Sequence, residues 1–201
     1  MNSIDVPVLS RKIALKWGRD VLDHRSAFID RGGFYTLGAA AYLDDPLEYP
    51  SVAKETNAKT QWFYALRQKV MHSLSRSLDL PVKQLQGAAE PGFHVFDAAS
   101  AGMEASIHID TPYTRVFWPE PFHSVFSFTV PLWLPEEGGL NYWVDDTMHY
   151  KRYEVGTMYL HSGLEVHQIA NPVPVTNECP RITLQGHGAV LGHSNTAAVY
   201  F

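Results

Sequence analysis

The sequence predicts a mainly β fold with flanking helices, a jelly roll led by an N-terminal helical region, and three observations support this. Beyond residue 90 the chain becomes a series of short aromatic and β-branched runs divided by Gly, Pro, Asp and Asn, which reads as closely spaced strands. Before residue 90, apolar residues instead recur every three or four positions, the period of a helix with one dry face. With 201 residues, 45% hydrophobic and only 18% charged, the chain can bury one good core and is too short for two. One domain over 1–201 is expected, with 1–89 as a helical or mixed support region and 90–201 as the jelly-roll core.

Taken in order, residues 10 to 29 place Ile13, Trp17, Val21 and Leu22 on one side of a helix, and Arg31-Gly32-Gly33 breaks the pattern. The stretch Phe34 to Leu43 reads as a strand, although Ala39 to Ala41 suit a helix equally well; Asp44-Asp45-Pro46 ends it. From Ala58 to Leu80 the set Trp62, Phe63, Leu66, Val70, Leu74 and Leu78 describes one long amphipathic helix, stopped by Pro81. The expected strands that follow are Gly92 to Phe96, Glu104 to Ile109, Ser124 to Leu132, Gly139 to Val144, Gly156 to Leu160, Glu165 to Ala170, Arg181 to Val190 and Ala197 to Phe201. Eight short strands suggest two sheets wrapped around a cavity.

Bulk properties exclude several function classes. The formal net charge is −5 and no segment concentrates lysine and arginine, so a phosphate-tracking surface for nucleic acid is not expected. The single cysteine, Cys179, cannot form an intrachain disulfide and lacks the paired spacing of a zinc site. No secretory leader and no run of 18 apolar residues is visible. A cytoplasmic protein with a small-molecule partner, no nucleic acid and no membrane is expected.

His108-Ile109-Asp110 carries the chemistry. Residues two apart on an extended strand point to the same face, so both side chains can reach one ion, and Thr111-Pro112 ends the strand at the sheet rim. His167 follows 57 positions after Asp110, and Arg181-Ile182-Thr183 begins 14 beyond that. Two imidazoles and one carboxylate can hold a divalent iron on one face and leave its other positions open. His161 competes with His167 for the third position. His94, His123, His149 and His193 are read as structural histidines, and His187 as no ligand. Arg181, Thr183, Gln185 and His187 alternate with Ile182 and Leu184, so the polar four share one face. A buried arginine fork on such a face meets a carboxylate with two parallel hydrogen bonds.

These landmarks, together with Pro131, the Leu134-Pro135-Glu136-Glu137-Gly138-Gly139-Leu140 segment and Gly156, resemble the iron(II) and 2-oxoglutarate dependent oxygenases over residues 92 to 190. The resemblance implies a double-stranded β-helix, the cupin-like form of the jelly roll. It also implies His108, Asp110 and His167 as both catalytic centre and iron ligands, with His167 preferred over His161 because His167 to Val173 resembles the family's distal segment. Arg181 and Thr183 would bind the distal carboxylate of 2-oxoglutarate, and O₂ would be the oxidant. Hydroxylation of a small molecule, an amino acid or a natural-product intermediate, with release of succinate and CO₂ is the implied activity. Alternatives are a hydroxylase of protein side chains such as prolyl residues, or a barrel that only binds ligand. Retention of Asp110 argues against a halogenase, and His187 stands where nucleic-acid demethylases carry a second arginine. Arg115 and Trp118, in the loop directly after Asp110, and Gln185 and His187, farther along the arginine strand, are the candidate substrate contacts.

Overall fold

Arg181–Leu191 forms one long central strand, because its alternation places polar side chains toward a cavity and apolar ones toward a helical layer. In the computed structural model, which describes residues 3–101, 103, 105–170 and 175–201, the elements run as follows. The N-terminal part holds β1 (Ile4–Pro7), α1 (Arg11–Asp23), β2 (Ile29–Asp30), β3 (Tyr35–Leu37), α2 (Tyr49–Lys59), α3 (Tyr64–Leu78) and β4 (Val82–Gln84). Then come β5 (Gly92–Phe96), β6 (Phe122–Trp133), β7 (Gly139–Val144), β8 (Thr147–Arg152), β9 (Thr157–Ser162), β10 (His167–Ala170), β11 (Arg181–Leu191) and β12 (Thr196–Tyr200).

The strands build a larger and a smaller sheet. The larger has the path β1-β9-β6-β11-β5-β3-β2, with β12 on β11 and β4 on β12. β6 runs along nearly all of one edge of β11, while β5 and β12 divide the other edge between residues 181–185 and 187–191. The smaller sheet is β10-β7-β8, and the segment at His108 joins it through a two-way bridge to His167. From β5 onward the chain therefore alternates between the sheets: β5 in the larger, the His108 segment in the smaller, β6 in the larger, β7 and β8 in the smaller, β9, β10 and β11 in turn. That alternation is the double-stranded β-helix, the jelly roll expected from the sequence.

The apolar core lies outside the roll. Phe126, Phe128, Val130 and Leu132 of β6, Phe93 and Val95 of β5, and Ile182 and Leu184 of β11 pack against Ala14 and Val21 of α1 and Leu66, Val70 and Leu74 of α3. Their strand neighbours Ser127, Thr129, His94, Thr183 and Gln185 face the other way, into the roll. A second cluster, with Ala39, Tyr49, Ala53, Leu191, Tyr200 and Phe201, closes one end.

Several expectations need correction. The helix expected from Ala58 to Leu80 is two helices and an intervening 3-10 turn, and Trp62 stands outside its dry face at 66% exposure. On α1 the buried positions are Ala14, Gly18 and Val21, whereas Ile13 is 42% exposed. Phe34 to Leu43 supplies only the three residues of β3 before it turns. In the expected strand Glu104 to Ile109 only His108 pairs among the described residues, and Ile107 and Ile109 are exposed. Glu104 itself, and Asn171 to Val173 of the distal segment, lie outside the described residues. No helix among the described residues is long and apolar enough to cross a membrane.

Candidate metal centre and the cavity behind it

The bridge between His108 and His167 is what assembles the centre. Each residue donates its N–H to the other's carbonyl, at 3.0 and 2.8 Å, and such a hydrogen-bonded pair sets the two Cα atoms about 5.5 Å apart. The rings lie with centroids 4.4 Å apart. Asp110 is fixed two residues on, where its N–H donates to the Gly163 carbonyl at 2.9 Å. One ligand atom from each of His108, Asp110 and His167 falls within 4.8 Å of the others, so residues distant in sequence converge on a point that one ion can occupy.

The tautomers of both imidazoles can be assigned. His108 Nδ1 lies 2.8 Å from the Ser106 carbonyl and His167 Nδ1 lies 2.7 Å from the Glu165 carbonyl. A carbonyl only accepts, so each Nδ1 carries the proton and each Nε2 presents a lone pair. Those Nε2 atoms lie 3.8 and 3.7 Å from the oxygens of Asp110. Burial raises the Asp110 carboxyl, but the imidazoles of His187, His167 and His161 outweigh it and hold the group at about 2. Burial pulls His167 below the usual histidine range, against the pull of Asp110. A carboxylate and two imidazoles that turn their Nε2 atoms toward it form, in the neutral state of the rings, a donor set that fits a divalent transition metal.

His161 backs this set and lies outside it. Its ring stands edge-on to His167 at 5.1 Å, stacks on Tyr159, and places Nδ1 3.2 Å from a Glu165 carboxylate oxygen. It packs beside the His167 ring, whose orientation is set by its own Nδ1 bond to the Glu165 carbonyl.

Behind the centre lies a small cavity of about 50 Å³, lined by Asp110, Ser127, Thr129, Leu140, Tyr153, His161, His167, Ile169, Arg181, Gln185 and His187. Strand register lays its wall out in rows. His187 faces Ser127, Gln185 faces Thr129, and Thr183 faces both Pro131 and His94. Arg181, 1% exposed, closes the floor. Its Nη1 donates to the Gly139 carbonyl at 3.3 Å, and its guanidinium lies 5.5 Å over the Tyr153 ring. Residue 139 must be glycine for β8 to pass so close, since a Cβ there would stand 2.2 Å from the Lys151 carbonyl oxygen. Thr183 is fully buried and accepts from Gln185 Nε2 at 3.1 Å.

The loop after Asp110 is less engaged. Arg115 is exposed and donates to the Tyr42 carbonyl at 3.3 Å. Trp118 gives its indole N–H to the Tyr113 carbonyl and packs on Phe122 and Tyr200 in the second apolar cluster. Neither is among the residues that line the cavity.

Four participants were not anticipated. Ser127 lines the cavity with Asp110, its Oγ 3.0 Å from His187 Nδ1. Tyr153 follows β8, an exposed strand with no apolar alternation to mark it. Tyr42 comes from the support region, where Arg31 grips Asp44 with two hydrogen bonds and Asp44 accepts from the Ala40 N–H. Its ring meets His187 edge-on at 5.7 Å, and its hydroxyl is bonded to His94 Nε2. Burial lowers His94 to about 3 and so keeps it neutral. Tyr42 and His94 have no motif; only a period-two reading of β5 marks His94 as inward.

Comparison with solved structures supports the fold. An N-substituted L-amino acid dioxygenase from Burkholderia ambifaria AMMD, in complex with alpha-KG, superimposes with a TM-score of 0.59 at 12% identity, covering 100% of this chain and 86% of that one. The non-heme alpha ketoglutarate dependent epimerase SnoN from nogalamycin biosynthesis gives 0.59 at 12% identity over 92% and 76%. An oxidoreductase of the 2OG-Fe(II) oxygenase family from Burkholderia pseudomallei gives 0.57 at 11% identity over 97% and 86%. At these identities the likeness is one of fold. No protein-family model and no curated protein matches the chain.

Proposed function

We propose that this protein is an iron(II) and 2-oxoglutarate dependent oxygenase that hydroxylates a small molecule, an amino acid or a natural-product intermediate. The observation that carries the reading is the His108–Asp110–His167 cluster at one end of a cavity whose other end is closed by buried Arg181. The three solved structures compared above, each described as a 2-oxoglutarate or alpha-ketoglutarate protein or a dioxygenase, support it through their shared fold.

In this reading His108 Nε2, Asp110 and His167 Nε2 hold the iron. Bound there with 2-oxoglutarate and O₂, the metal would supply oxidation of a substrate C–H bond with release of succinate and CO₂. The chain's own part is to position and to exclude water. Arg181 and Thr183 bind the distal carboxylate of 2-oxoglutarate, a planar fork backed by a hydroxyl. Tyr153 stacks beneath the guanidinium and fixes its plane. Gln185, held by Thr183, extends that polar row toward the iron end. Leu140 and Ile169 of the smaller sheet cover the row from above and lower the local dielectric.

Residues 1–201 act as one unit, because Tyr42 of the support region reaches His187. One cysteine and no membrane-crossing helix among the described residues fit a cytoplasmic enzyme. Purified protein with iron(II), ascorbate and 2-oxoglutarate is expected to release succinate, and amino acids, natural-product fragments and peptides are then screened for stimulation. Failure to bind iron(II), or succinate release unchanged in Asp110→Ala, overturns the reading. Stimulation by peptides alone moves the substrate to protein side chains.

A further inference from the structure

We infer that His187 Nε2 accepts a hydrogen bond from a hydroxyl or amine on the primary substrate, making His187 a specificity-determining residue. The inference rests on the iron-site reading for what the cavity is, and on local geometry for what His187 does there. His187 stands opposite Ser127 in the β11–β6 register and is 7% exposed. Its Nδ1 lies 3.0 Å from Ser127 Oγ and 3.8 Å from Asp110 Oδ2. Ser127 has one proton and two possible acceptors, the Asp110 carboxylate and the imidazole. An anionic carboxylate 3.8 Å from Nδ1 favours a proton on that nitrogen over a lone pair facing the charge, so the imidazole donates and the hydroxyl accepts. This puts the imidazole proton on Nδ1 and a lone pair on Nε2.

That Nε2 is buried and has no hydrogen-bond partner among the described residues. The surrounding groups do not answer it. Tyr42 presents a ring edge at 5.7 Å and has its hydroxyl engaged by His94, and the Tyr200 ring lies tilted at 5.8 Å. An acceptor set among aromatic rings beside the cavity selects a ligand with an apolar body and one donor. Because an unanswered buried acceptor is costly, a ligand with that donor should gain about tenfold in affinity over its methylated analogue.

The test uses side-chain nitrogen spectra of the full-length protein carrying zinc and 2-oxoglutarate. The expected result is His187 protonated at Nδ1 and bare at Nε2. Benzyl alcohol and benzylamine should shift the Nε2 resonance, while benzyl methyl ether should not and should bind about tenfold more weakly. His187→Gln, which retains an acceptor oxygen, keeps that preference, and His187→Phe loses it. A proton found on Nε2, an equal response to alcohol and ether, no response to any of the three probes, or a preference that survives in His187→Phe each overturns the inference. The wild-type tautomer decides the matter even if His187→Phe fails to fold. In the same samples, absence of 2-oxoglutarate shifts at the Thr183 and Gln185 amides would overturn the iron-site reading separately.

Discussion

The two sheets of the roll differ in what they are made of and in what they carry. The larger sheet is dry: its outer face meets α1 and α3, and every residue of β5 is buried. The smaller is thin and wet: five of the six residues of β8 are exposed, Met148 at 57%. Yet the smaller sheet and the segment bridged to it hold His108 and His167, while the larger holds Arg181 and Thr183. Metal ligands need only three atoms at one point, and reciprocal backbone bonds supply that. A buried arginine is costly to desolvate and needs partners held in place around it, here the Gly139 carbonyl and the Tyr153 ring. Chemistry and stability are thus divided between the sheets, and this division can be tested.

The largest expected effect is catalytic. Asp110→Ala is expected to remove succinate formation altogether while moving the unfolding temperature by no more than a few degrees, measured by assay and thermal melt. Collapse of the fold would mean that the metal end is structural and the division false. On the dry side, Phe128→Ala is expected to cost about 3–5 kcal/mol in denaturant unfolding, the usual range for a buried aromatic.

Arg181→Ala should raise the 2-oxoglutarate concentration for half-maximal turnover at least about 30-fold, near 2 kcal/mol, and Arg181→Lys should not restore it, since the planar fork is lost. An unchanged 2-oxoglutarate requirement would remove the floor of the cavity from the co-substrate site.

Acid should act through the dry sheet first. His94 is held neutral at about 3 against a reference of 6.5, so between those values the unfolded chain takes up a proton that the native one refuses. Its contribution is complete above pH 6.5 and is lost as pH falls toward 3; Asp110, held near 2 against 3.8, adds to the loss lower down. Between pH 7 and 5 the histidine accounts for on the order of 2 kcal/mol, and His94→Gln should melt with a visibly smaller drop over that interval. The smallest effect belongs to the wet sheet, where Met148→Ala should stay within about 0.5 kcal/mol of wild type.

Particular residues explain what was readable in the chain. β5 and β7 coincide with the segments expected from the sequence, and β6 and β11 differ from them by one or two residues, because aromatic and β-branched runs bounded by Gly and Pro carry a strong signal. α2 escaped because its buried face is Tyr49, Ala53 and Thr56, too small and too polar to register as a stripe. β8 escaped because nothing in it is dry; it is set by Asp145 and Asp146, both with positive φ, which form the two-residue turn between Val144 and Thr147. His108 with Asp110 and the alternating arginine face were legible because their spacing is local, whereas His167, 57 residues on, was preferred over His161 only through the family resemblance. Tyr42, Ser127 and Tyr153 were not, since each joins the cavity through a neighbour distant in sequence.

By itself the sequence determined the strand-rich second half and the polar face of β11, for alternation along a strand is a property of the backbone that needs no partner. Only the tertiary structure decided that His167, with His161 behind it, completes the cluster. It alone also decided that Arg181 is fully buried and that Tyr42 crosses from the support region to His187. Those outcomes depend on register and on the path of the loops, and a period-two pattern is the same whichever strand comes to lie beside it.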